Sequence, residues 1–204
     1  MKKRSVLLDY FVKYKKTYIT IILLFILGIC IGVLYINTIN KEKLDTFSVY
    51  VNDLVKYIKE TKQLDNQNAL INSIIKNCKD IGIIWILGCT IIGSYLIYII
   101  LIYDGFKLGY SISTFICILG TKKGIVFSLV SLLLQNIIYI PIIFLIAESS
   151  IKMYKQTYKN RANIKREFIR HFIILLICLF FGVVASFIEV YFSTKLLKIF
   201  KEIF

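Results

Sequence analysis

The sequence predicts an all-α integral membrane protein of about five transmembrane helices with a small extracytoplasmic helical hairpin. Three observations carry this. The 204-residue chain is 58% hydrophobic, with a mean hydropathy of +0.74. Its apolar residues come in runs of about 20, the length that crosses hydrocarbon as a helix, instead of the spaced pattern of a soluble core. With one Pro and ten Gly, the chain has too few turn formers for a loop-rich β protein.

Residues 1–17 form a basic N-terminus, and "MKKRSVLLDYFVKYKKTY" carries a charge of +5 (six Lys/Arg, one Asp). The first span, 18–36, contains "ITIILLFILGICIGVLYI" and extends about 28 Å as a helix. It is long for a signal-peptide core, and "YINTINKEK" lacks a small-x-small cleavage site, so an uncleaved span is expected. Residues 37–80 are polar and nearly neutral, with seven Lys and six acids. Leu44, Phe47, Val51, Leu54 and Ile58 recur at helical steps, as do Leu70, Ile71, Ile74, Ile75 and Cys78. Two amphipathic helices with a turn near "QLDNQN" are expected. So short a segment has little core of its own, so an apolar face is expected to meet other spans or a partner.

A second span is expected at 81–103, a short third at 105–119, a fourth at 125–147 and a fifth at 172–193. The third segment is short enough to be re-entrant. Charge decides between the alternatives. The N-terminus and the 148–171 loop are each +5, and positive segments stay in the cytoplasm. Both are inside only if 105–119 crosses. The N-terminus is then cytoplasmic and the 194–204 tail extracytoplasmic. Asp104 and Lys107 fall at the inner boundary, where Lys107 can snorkel.

The net charge of +14 collects in loops between apolar runs, and no basic-aromatic groove marks a nucleic-acid partner. Of five cysteines, four lie in apolar runs, and no C-x-x-C pair occurs. The one histidine, His171, stands at a membrane boundary. Clustered metal ligands are lacking, so no metal or other cofactor is expected. Hydrolase, P-loop and zinc-protease motifs are lacking too, so no enzyme activity is expected.

The remaining polar and glycine features read as helix-packing or partner contacts. Gly28/Gly32 and Gly105/Gly109 have the four-residue spacing that makes a flat stripe for close helix approach. Gly120/Gly124 has the same spacing but reads as a turn, because Thr121 to Lys123 are polar. Gln135 and Asn136 lie near the middle of span four and, about 100° apart, require hydrogen bonds to adjacent helices. Pro141 leaves a carbonyl without its helical partner, which suits a central helix of the bundle. Glu189 has three readings: an anchor paired with Lys122, Lys123 or amides, a proton or ion site, or a headgroup-level residue.

Four stretches resemble the stage II sporulation protein M family of endospore-forming bacteria: "FILGICIGVLYIN", "YDGFKLGYSIS", "LLLQNIIYIPIIFLIAE" and "ASFIEVYFST". The likeness extends over most of the chain, in length and five-span layout. It implies a cell-membrane protein, in the mother-cell or septal membrane, acting in engulfment. It further implies a complex with stage II sporulation proteins D and P, which degrade peptidoglycan, and a part in assembling or localising them without hydrolysing anything itself. The alternative is a small transporter or permease subunit using Gln135, Asn136, Pro141 and Glu189 along a path.

Overall fold

The computed structural model describes residues 6–39, 47–49, 51, 53, 56, 66–90, 92–155, 157 and 164–193. Six α-helices account for most of them: α1 (Val6–Thr38), α2 (Asn66–Gly88), α3 (Gly93–Leu119), α4 (Thr121–Ser128), α5 (Leu134–Tyr154) and α6 (Ile164–Phe187). Two π-helical turns, Leu129–Leu133 and Ile188–Ser193, join α4 to α5 and extend α6.

Four stretches are long and apolar enough to cross a membrane: Lys16–Thr38, Gly93–Leu119, Asn136–Tyr154 and Ile164–Phe192. Their outward faces carry Leu23, Ile99 and Phe180, each 60% exposed or more. Such a surface is unfavourable in water and natural against lipid. Inward, five helices each give a side chain to one core: Ile21, Ile84, Leu101, Ile146 and Cys178.

The contacts define the direction of every helix. Phe25 and Ile29 of α1 meet Gly105 and Gly109 of α3, so these two run parallel. Ser73, Asn77 and Ile81 of α2 meet Glu189, Ser186 and Gly182 in turn, so α2 runs antiparallel to α6 and its extension along their length. Ser149 of α5 bonds His171, and Cys178 bonds Ile142, so α5 and α6 are antiparallel too. Thr17 and Phe25 of α1 meet Lys155, just past α5, and Phe144 of α5, so α1 and α5 are antiparallel and the five long helices alternate in direction along the chain. α2 keeps pace with α6 although it carries Lys76, Lys79 and Asp80 and is not among the four apolar spans.

Several boundaries differ from the sequence expectation. The apolar stretch 81–103 is two helices, with turn or bend geometry at Cys89, Thr90 and Ile92 between them. A Cβ on Gly93 would overlap the Leu87 carbonyl, so the chain can fold back there only on a glycine. The Thr90 hydroxyl donates to the same carbonyl (2.9 Å) and closes the turn. Residues 105–119 are not a separate short segment but the second half of α3. Asp104 and Lys107 accordingly lie inside a helix and not at its boundary.

The second arm of the expected 37–80 hairpin is the first half of α2, because Ser73 and Asn77 pack on α6 and its extension. Most of the first arm lies outside the described residues. Phe47 and Val51 are helical, with Phe47 edge-on to Tyr110 (5.9 Å) and Val51 buried. The tail 194–204 lies outside the described residues as well. The fourth apolar run continues past Ala147 to Tyr154. Glu148, Ser149 and Ser150 are thus buried in α5 and do not begin a loop.

Candidate functional site

α1, α2, α3 and the α5 region enclose a pocket of about 450 Å³. Its chemistry comes from Lys76 and Asp80 on α2, Asp104 and Lys107 on α3, and Asn136 and Tyr139 on α5. On α2 the spacing of four puts Lys76 and Asp80 on one face, while Ser73 and Asn77 turn toward α6. On α3 the spacing of three lets Lys107 Nζ reach Asp104 Oδ1 at 2.6 Å. The same ammonium lies 4.9 Å from the Tyr103 ring centroid, within cation–π range. Across the pocket, Tyr139 donates its hydroxyl to Asp80 Oδ2 at 3.0 Å.

Asp104 sits well inside the bundle. Asp104 is about 16 Å along α3 from Gly93, reckoned at the helical rise per residue. The Asp104 side chain is 11% exposed and that of Lys107 is 43%, so the carboxylate is deep and the amine nearer the mouth. Asp104 Oδ2 is buried without a hydrogen-bond donor among the described residues.

The glycine stripes hold this wall in place. A Cβ on Gly28 or Gly32 would overlap the Ile102 or Phe106 carbonyl of α3. One on Gly105 or Gly109 would overlap the Phe25 or Ile29 carbonyl of α1. The two stripes face one another, backbone against backbone, and the pocket lies beside this seam.

Asn136 does not bond a neighbouring helix, as the sequence suggested. Its amide donates to Leu132 O of the preceding turn at 2.7 Å. That carbonyl lies in the π-helical turn, where the wider winding frees an acceptor for a side chain to satisfy. The Gln135 side chain lies outside the described residues. Pro141 is on an exposed face of α5. Because its bond stays within one helix, Asn136→Leu is expected to lower stability by no more than about 1 kcal/mol. A denaturant titration in detergent measures this, and a loss of 3 kcal/mol or more (~the cost of a buried polar network) would contradict the assigned bond.

Glu189 accepts a hydrogen bond from the Ser73 hydroxyl of α2. It sits in the π-helical extension of α6, outside the pocket. Asn136 and Glu189, offered as two points on one path, therefore line no common cavity. Lys122 and Lys123 are exposed.

A second polar cluster closes the opposite end of α2 and α6. His171, in the first half of α6, is 1% exposed. Its Nε2 lies 3.2 Å from Trp85 O and its Nδ1 2.8 Å from Ser149 Oγ. A carbonyl only accepts, so Nε2 carries the proton and Nδ1 accepts from serine. Ser149 and His171 are 22 residues apart in the sequence, and the fold brings them together. Both are buried, and through these bonds the pair ties α5 and α2 to α6. Beside it, Glu167 sits between Lys152 (3.6 Å) and Arg170 (3.3 Å).

Asp80, Tyr139 and Lys76 were missed as site residues. An ionisable group inside a membrane helix is a functional signal by default. It was not read at Asp80 because 66–80 read as a loop arm.

The profile of the Stage II sporulation protein M family matches residues 21–194. The matched region takes in the pocket, the glycine seam and the His171 cluster. No curated protein and no solved structure matches the chain. On this match over most of its length, the chain belongs to the stage II sporulation protein M family, a sporulation-related membrane protein family.

Proposed function

We propose that this protein is a non-enzymatic membrane scaffold of sporulation engulfment that assembles or localises the peptidoglycan-degrading stage II sporulation proteins D and P. The observation that carries the reading is the family match across 21–194, which covers nearly all the described bundle. The architecture supports it. The glycine seam and the buried polar links between α2 and α6 tie the helices together through directional contacts, as a fixed platform requires.

In this reading all five long helices cross the membrane, α2 included. The +5 N-terminus and the basic segment between α5 and α6 lie in the cytoplasm, and the C-terminal end of α6 lies outside. The connection from α1 to α2 then faces the wall, where hydrolases act. Affinity capture of the tagged full-length protein from sporulating cells, in mild detergent, is expected to recover both enzymes. Capture that recovers neither, from cells shown to contain them, contradicts the reading.

A further inference from the structure

We propose that the pocket between α1, α2, α3 and α5 binds a zwitterion, a small group carrying both an ammonium and an anionic oxygen cluster. This rests on the pocket alone and requires neither scaffolding nor transport. The volume, about 450 Å³, falls within the range of small-ligand sites. Its four charged side chains are two amines and two carboxylates, Lys76 and Lys107 against Asp80 and Asp104. A simple cation entering there meets both lysines, and a simple anion meets both aspartates. A molecule with both signs can satisfy each set, and complementarity of this kind decides specificity.

The two signs are also separated in depth. Lys76 is exposed, and Lys107 is four times as accessible as Asp104. An anionic oxygen cluster therefore fits at the mouth and an ammonium further in. The interior offers that ammonium a carboxylate with unused capacity. Asp104 Oδ1 is engaged by Lys107, but Oδ2 has no donor among the described residues, an arrangement that calls for a partner. Tyr103, Phe106 and Tyr110 add aromatic rings to the lining, which favour an organic ammonium over a bare metal ion. Among the described residues no group of three or more His, Cys, Asp or Glu could hold a metal.

The same chemistry occurs in a free phosphoethanolamine-like solute and in a zwitterionic lipid headgroup. Calorimetric titration of the purified full-length protein with O-phosphoethanolamine tests the first source. Thermal stability in nanodiscs of phosphatidylethanolamine against phosphatidylglycerol tests the second. Ethanolamine and inorganic phosphate serve as the single-charge controls.

The expected result is saturable binding of phosphoethanolamine, or stabilisation by phosphatidylethanolamine alone, with either control at least about tenfold weaker. Lys76→Gln and Asp104→Asn are each expected to weaken the response about tenfold, while Lys79→Gln, exposed and outside the pocket, leaves it unchanged. Lys76 is exposed, so that variant reports even where Asp104→Asn fails to fold. The proposal is overturned by no response in either arm, by ethanolamine or phosphate matching the zwitterion, or by Lys76→Gln responding as the unmodified protein does.

Discussion

Gly105→Ala is expected to destabilise the folded protein by about 2–3 kcal/mol, at the upper end of what one overpacked methyl costs. The methyl would overlap the Phe25 carbonyl, with the Ile29 amide nitrogen 3.2 Å away, and both are backbone atoms. A flexible side chain could swing aside, but backbone moves only if the helix moves. α1 and α3 would have to separate, and they share the most extensive helix–helix contact in the bundle. In lipid, helix association depends on this close packing because hydrocarbon supplies no hydrophobic drive.

The same substitution at Gly82 makes the matching control. There a Cβ would meet nothing within 4 Å. Gly82→Ala removes only the entropic cost of a glycine in a helix interior and is expected to stabilise by up to about 1 kcal/mol. Denaturant titration in detergent, followed by fluorescence of the one tryptophan, Trp85, measures both. Two shifts of the same sign and size would mean that the response reflects glycine in helices generally and that α1 and α3 do not meet at this seam.

The glycine stripes were legible in the sequence as packing surfaces, but not as partners of one another. Facing them requires α1 and α3 to be parallel, and that follows only once 105–119 is joined to 93–104. The joint was hidden because the run from Ile81 to Tyr103 is almost continuously apolar and gives composition no boundary. What breaks it is a steric event, the approach of Gly93 to the Leu87 carbonyl, which no hydropathy pattern records.

The apolar blocks of the first and last spans were legible because each is uninterrupted and set by bilayer thickness, whereas Gly93–Leu119 carries Asp104 and Lys107 at its middle and was divided there. The polar pocket was not legible. Its acids come from two helices, one of them read as an extracytoplasmic loop because Lys76, Lys79 and Asp80 dilute it. Asn136 shows a related limit: its amide was read against neighbouring helices, when the acceptor was created inside its own helix by a π-helical turn.

His171→Ala is expected to cost about 3–4 kcal/mol, because the ring closes the end of α2 as well as filling space. The last carbonyls of a helix lack partners within it. Here Ile86 O is taken by the Cys89 amide and Leu87 O by Thr90. Trp85 O is met by His171 Nε2, and the Trp85 indole donates in return to His171 O at 3.3 Å. The rings also stack, with centroids 5.4 Å apart and planes 15° from parallel. Alanine removes the stack, leaves a void, and strips the cap from Trp85 O and the acceptor from Ser149.

Two amide replacements separate these contributions. Glutamine places a donor near the Nε2 position and can cap Trp85 O. Asparagine places an acceptor near Nδ1 and can serve only Ser149. The expected order of stability is histidine, glutamine, asparagine, alanine. It holds because a capped helix terminus outweighs the Ser149 hydroxyl, which can turn to a carbonyl of its own helix instead. Asparagine outranking glutamine in the same tryptophan-monitored titration would place the weight on Ser149. The cap on α2 would then be incidental to holding α2 against α6.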